Sequence, residues 1–221
     1  AGHLNRSDFA DMNRLGLPVA LQLGMETAAF SLSCVMVGWL GTLRLAAHQV
    51  TITISQLFYL ILFGMATAIS IRISHFAGQN DIEGIKANSK DGFRLVLFCS
   101  LLLSIPTLFF RNQLGALFSS NVEVQQTVGM LIIVLIIYQF GDGMQYTFSN
   151  ALRGISCVKP LVPCAFIAYF LVSLPLGYVL GFIANLGILG IWLAFPFGLT
   201  LAGVLYWQRF RKELKKLEGR K

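Results

Sequence analysis

Glu26 and Asp142 are two carboxylates that each stand in the middle of a long apolar run. Glu26 precedes Thr27–Leu40, which carries no charge, and no other charged residue falls within Thr127–Leu152 around Asp142. An ionisable side chain at bilayer depth costs roughly 2.5–3.5 kcal/mol, a cost tolerated where the group faces a cavity, an ion or a partner. A carboxylate in low dielectric either takes up a proton or holds a cation. Reversible cation binding along a transport pathway is the chemistry this pair suggests.

Polar groups at helical spacing accompany both acids. Tyr138, Gln139, Gln145 and Tyr146 stand three and four residues either side of Asp142, hence on its face, and Gln22 is four before Glu26. Gln49, Gln56 and Tyr59 recur at i, i+7 and i+10, a third stripe. Such glutamines also serve ordinary hydrogen bonding between membrane helices. Tyr59, Tyr138 and Tyr146 are suited to stacking on a flat organic cation. The expected cation- and substrate-binding residues are therefore Glu26, Asp142, Tyr138, Gln22, Gln56, Tyr59, Gln145 and Tyr146.

The elements that must carry these residues are membrane helices. The 221 residues are 56% hydrophobic and only 12% charged, against about 25% charged in a soluble domain. Six segments reach the roughly 20 apolar residues that a crossing needs: 15–40, 46–73, 93–110, 124–152, 161–182 and 188–207, with turn residues such as Gly78-Gln79-Asn80-Asp81 and Asn185-Leu186-Gly187 between them. The fold expected is all-α, a polytopic bundle of six transmembrane helices at 15–207, with a segment 1–14 before it and a basic tail 208–221 after it. Of the 17 Lys and Arg, all but Arg44 and Arg111 fall on one set of alternate sides. The positive-inside rule puts that set, with both termini, in the cytoplasm. The basic tail is expected along the anionic inner leaflet, with no nucleic-acid role.

Orientation fixes depth. Glu26 is 12 residues past Arg14 and Asp142 is 11 before Arg153; at about 1.5 Å per residue, both lie roughly 17 Å from the cytoplasmic marker of their helix. Equal depth near the midplane is what a shared site needs. Pro18, Gly24, Gly141 and Gly143 flank the two acids and predict either locally broken helices, as where transporters bind ions, or close small-residue packing. Pro106, Pro163, Pro175 and Pro196 predict kinks. Cys34, Cys99, Cys157 and Cys164 show no CxxC pair and read as apolar fillers. An enzyme is not expected: His48 and His75 sit at helix ends, and no Gly-x-Ser-x-Gly or metal-ligand spacing occurs.

The stretch Leu15-Gly16-Leu17-Pro18, Gln22, Glu26, Gly38-Trp39-Leu40-Gly41 and Leu45-Ala46-Ala47-His48-Gln49 resembles the second half of the multidrug and toxic compound extrusion (MATE) family. So do Gly64–Ala68, Arg72, Gly78–Asp81, Tyr138-Gln139-Phe140-Gly141-Asp142 and Leu152-Arg153-Gly154. The resemblance implies one six-helix lobe of a twelve-helix transporter, a cation-coupled antiporter in the cell (inner) membrane that exports organic, often cationic, compounds. It implies a missing N-terminal six-helix lobe as partner, no cofactor, H+ or Na+ as coupling ion, and Glu26, Tyr138 and Asp142 as the positions associated with that ion. Two alternatives remain open. A flippase for a lipid-linked saccharide is expected to line its cavity with basic residues, and no Lys or Arg lies mid-span. A chain complete at 221 residues is expected instead to be a half-length protein or a non-catalytic assembly subunit.

Overall fold

The computed structural model describes residues 5–220; the first four residues, His3 among them, and Lys221 lie outside the described range. Among the described residues seven helices follow one another with short turns: α1 Arg6–Gly38, α2 Thr42–Gly78, α3 Ile82–Phe109, α4 Arg111–Phe118, α5 Val122–Gly154, α6 Leu161–Ile183 and α7 Ile188–Glu218. Their starts are set by local chemistry. The Asp8 carboxylate accepts from the Asn5 backbone N–H, Asp81 accepts from the Gly84 N–H at 2.9 Å, and Asn121 accepts from those of Glu123 and Val124. Turns between helices use left-handed residues, Asn80 with φ 54° and Gly187 with φ 60°.

Six helices, all but α4, are long and apolar enough to cross a membrane, and the chain is a multi-pass membrane protein. The helices overrun the apolar segments, α2 and α5 at both ends, α1 and α3 at the N-terminal end and α7 at the C-terminal end. α1 begins nine residues before Leu15, and α7 continues unbroken through Trp207 to Glu218. The last turns of α7 are not a loose tail, because Phe210 and Leu214 are buried in the core. The helix α4 was not foreseen: its eight residues are too few for a periodicity to be read between the turn signals at Asn112 and Ser119.

The helix α5 is the axis of the bundle, packed against α7, α2, α3 and α4, while α1 lies chiefly against α6. The glycines beside Asp142 make this possible. A Cβ on Gly141 would come within 2.8 Å of Thr200 Oγ1 on α7, and one on Gly143 within 2.9 Å of Val96 on α3. On α7, Gly203 is similarly pressed against Met144 and the Gln145 backbone. These are small-residue contacts. The alternative expectation, broken helices at the acids, is not met: α1 runs through Pro18 and α5 through Gly141 and Gly143 without interruption. Departure from α geometry falls instead in α6, which is π-helical over Phe166–Ser173 and Val179–Ile183 around Pro175.

Candidate functional site

A cavity of about 290 Å³ lies between α1, α2 and α5. From α1 it takes Glu26, Thr27 and Phe30; from α2, Ile52, Ser55, Gln56 and Tyr59; from α5, Tyr138, Asp142 and Tyr146. Six of the eight residues singled out from the sequence thus line one space. Helical spacing explains it: Tyr138, Asp142 and Tyr146 are successive turns of α5, and Ile52, Gln56 and Tyr59 are successive turns of α2.

Gln22 and Gln145 stand behind the wall, fully buried. The Gln145 amide donates to Glu26 Oε2 and the Tyr146 hydroxyl to Glu26 Oε1, each at 3.5 Å, which are long, weak bonds. Gln22, one turn before Glu26, accepts from Arg153 Nη2 at 2.9 Å and donates to the Tyr206 hydroxyl at 3.1 Å. A polar chain therefore runs from Tyr206 through Gln22 to Arg153 beside the cavity. Arg153 entered the sequence reading as a cytoplasmic depth marker and within the resembling stretch Leu152-Arg153-Gly154, not as a site residue; its guanidinium turns inward to Gln22. Gln49 lies off the site and donates to Cys34 Sγ at 3.4 Å.

Asp142 differs from Glu26. It is 4% exposed, and its Oδ1 has no hydrogen-bond partner among the described residues. Neither acid forms a salt bridge within 4.0 Å there. A buried carboxylate oxygen without a donor is costly unless a proton or cation meets it. Glu26, Asp142 and Tyr138, three side chains that carry oxygen, all line the cavity, and oxygen is the ligand type that hard cations take. No group of three or more His, Cys, Asp or Glu suited to a transition metal occurs among the described residues.

The aromatic lining of the cavity, Phe30, Tyr59, Tyr138 and Tyr146, is backed by further rings. Phe30 meets Phe195 at 5.0 Å and Tyr138 at 6.3 Å between centroids, and Tyr138 meets Trp192 at 6.2 Å. Trp192 donates its indole N–H to His48 Nδ1 at 3.1 Å, which accounts for this buried histidine. Tyr59 meets Tyr146 edge-on at 5.5 Å. Phe30, Ile52 and Ser55 were not singled out from the sequence, although Phe30 is four residues past Glu26 and Ile52 and Ser55 precede Gln56 and Tyr59 by four.

The MatE family model matches residues 18–179 of the chain. Multidrug resistance protein NorM of Aliivibrio fischeri is 37% identical over 204 residues, which cover 90% of this chain and 44% of that protein. NorM of Photobacterium profundum is 32% identical, with the same coverage of 90% and 44%. Two solved folds are close: a crystal structure of MATE in complex with MaL6, with TM-score 0.87 at 19% identity, and the Vibrio cholerae MATE transporter VcmN in the bent form, with TM-score 0.88 at 19% identity. The first covers 98% of this chain and 49% of its own, the second 97% and 49%. The chain spans about half the length of the relatives it matches.

Proposed function

Because the chain belongs to the MatE family, we propose that it forms one six-helix lobe of a cation-coupled antiporter that exports organic, often cationic, compounds by alternating access. The observation that carries this reading is a pair of buried carboxylates bordering one cavity, with an Asp142 oxygen that no protein donor meets. If a proton or Na+ and an organic cation compete for Glu26 and Asp142, binding of one releases the other, and that competition is coupling. Tyr138 supplies a hydroxyl beside Asp142, and Gln56, Tyr59 and Tyr146 form walls for a flat cationic guest. Gln145 orients the Glu26 carboxylate, and Gln22 braces Arg153. The relatives' designation as multidrug resistance proteins supports this class of cargo.

Alternating exposure needs a second body rocking against this one. The apolar outer faces of α1 and α2, with Leu17, Leu21, Leu57 and Leu60 exposed, suit contact with a partner lobe or with lipid. In this reading the ends rich in Lys and Arg face the cytoplasm of a cell whose inner membrane holds the protein. A carrier of lipid-linked saccharides is expected to show cations in the cavity, and the lining has none. The test is efflux of a fluorescent organic cation by reconstituted Asp142→Asn protein. Ion-driven efflux is expected to fall to background while the protein stays folded; efflux that persists unchanged sinks the assignment.

A further inference from the structure

A second, larger cleft of about 500 Å³ opens on a different face of α5 from the carboxylate cavity, where the early turns of α3, Met144 and Phe148 of α5 and the C-terminal turns of α7 converge. Its wall is divided along the helix axes. At the outer end stand Lys86 and Lys90 of α3, one turn apart, facing Arg211 and Lys215 of α7. One helical turn or two further into the bundle the wall becomes Phe93, Phe148, Trp207 and Phe210. Glu218 contributes the one carboxylate of the lining, and it is bridged to Lys86. Lys90, Arg211 and Lys215 have no ion pair among the described residues.

From this we infer that the cleft is a binding seat for an anionic phospholipid, with the phosphate among Lys90, Arg211 and Lys215 and an acyl chain along Phe93, Phe148 and Trp207. Four features support one amphiphilic occupant. Cations and apolar groups are segregated in the order that a headgroup and its chain require. Trp207, with the Arg211 guanidinium over its ring at 4.9 Å, marks the membrane–water boundary that indoles favour. The end concerned is the one where Lys and Arg concentrate, hence the side of the anionic leaflet. The floor is packed into the core, with Phe210 3% and Leu214 4% exposed, and the cleft is present in the chain by itself. A free phosphate would use the outer half alone and leave the aromatic half unexplained. The inference needs only that the chain spans a bilayer, and stands apart from the export reading.

The test uses the protein at its full natural length, in vesicles of phosphatidylcholine containing a minor share of phosphatidylglycerol. Bromine is placed on the acyl chains of one lipid or the other at unchanged composition. The quantity read is quenching of the Trp207 share of the emission, taken as the difference between each protein and its Trp207→Phe counterpart. The expected result is that brominated phosphatidylglycerol quenches with about tenfold preference per molecule over brominated phosphatidylcholine. That preference is lost in Lys90→Gln/Arg211→Gln/Lys215→Gln and kept in the charge-preserving Lys90→Arg/Arg211→Lys/Lys215→Arg protein. Equal quenching by the two lipids overturns the inference, as does absence of quenching by either. So does a preference abolished by millimolar inorganic phosphate at constant ionic strength, which assigns the seat to a soluble anion.

Discussion

Glu26 and Asp142 hold the same cavity with different support, and their substitutions should differ accordingly. Glu26 has two weak donors on different oxygens, so Glu26→Gln keeps one oxygen to accept from Gln145 or Tyr146, sets an NH2 donor in place of the other and removes the charge. It is expected to fold, with thermal midpoint near that of the parent, and to lose ion-driven efflux of an organic cation. Arg153 is the opposite case, a residue whose loss is structural first. Arg153→Met leaves the Gln22 carbonyl buried without its donor, which costs about 1–3 kcal/mol and should lower the thermal midpoint, whereas Arg153→Lys recovers part of it. An unchanged midpoint in Arg153→Met would show that the Gln22 contact contributes nothing. The acids were legible in the sequence because a charge inside an apolar run is conspicuous. Arg153 was not, because a cation at the end of a span reads as a topological marker, and only the fold shows its side chain turned inward. Gln145 was chosen on spacing and Gln22 on spacing and the resemblance, and spacing places a residue on a face without saying whether that face is wall or backing.

Helix positions were readable from length and hydropathy; helix ends, α4 and the π-helical turns of α6 were not. The first turns of α1 are too polar to read as part of a span, whereas α7 carried a legible period, Trp207, Phe210, Leu214 and Leu217 at i, i+3, i+7 and i+10, masked by the basic residues between. The π turns either side of Pro175 have no comparable sequence signal. Glycines show the same limit. Gly24 and Gly143 sit near an acid in equal fashion, yet a Cβ at Gly24 meets nothing within 4 Å and one at Gly143 meets Val96 at 2.9 Å. Gly143→Val should therefore destabilise the bundle by about 1–3 kcal/mol through overpacking of α5 against α3. Gly24→Ala should leave stability level or slightly raised, since an interior helical glycine costs about 1 kcal/mol relative to alanine. Thermal unfolding of the two purified variants checks the contrast, and equal destabilisation would contradict the packing described.

Taken as one body, the lobe leaves its site open to one side: the cavity is walled by only three of six crossing helices, α1, α2 and α5. Sequence reading anticipated a shared depth for the two acids, but adjacency of α1, α2 and α5 came only from the fold. If a second lobe closes that side and rocks, Gln56→Cys, in a background with the four native cysteines replaced, should react with an impermeant thiol reagent from opposite faces of the membrane as the ion gradient is reversed. Labelling from a single face under every gradient would rule out alternating exposure of this wall. The central claim, that coupling ion and organic cation compete for the carboxylates, is tested most directly by binding alone. In purified protein the apparent Kd of an organic cation should rise in proportion to H+ or Na+ concentration, and Asp142→Asn should remove that dependence. Binding indifferent to both ions in the parent protein, or a dependence that survives in Asp142→Asn, would contradict the account.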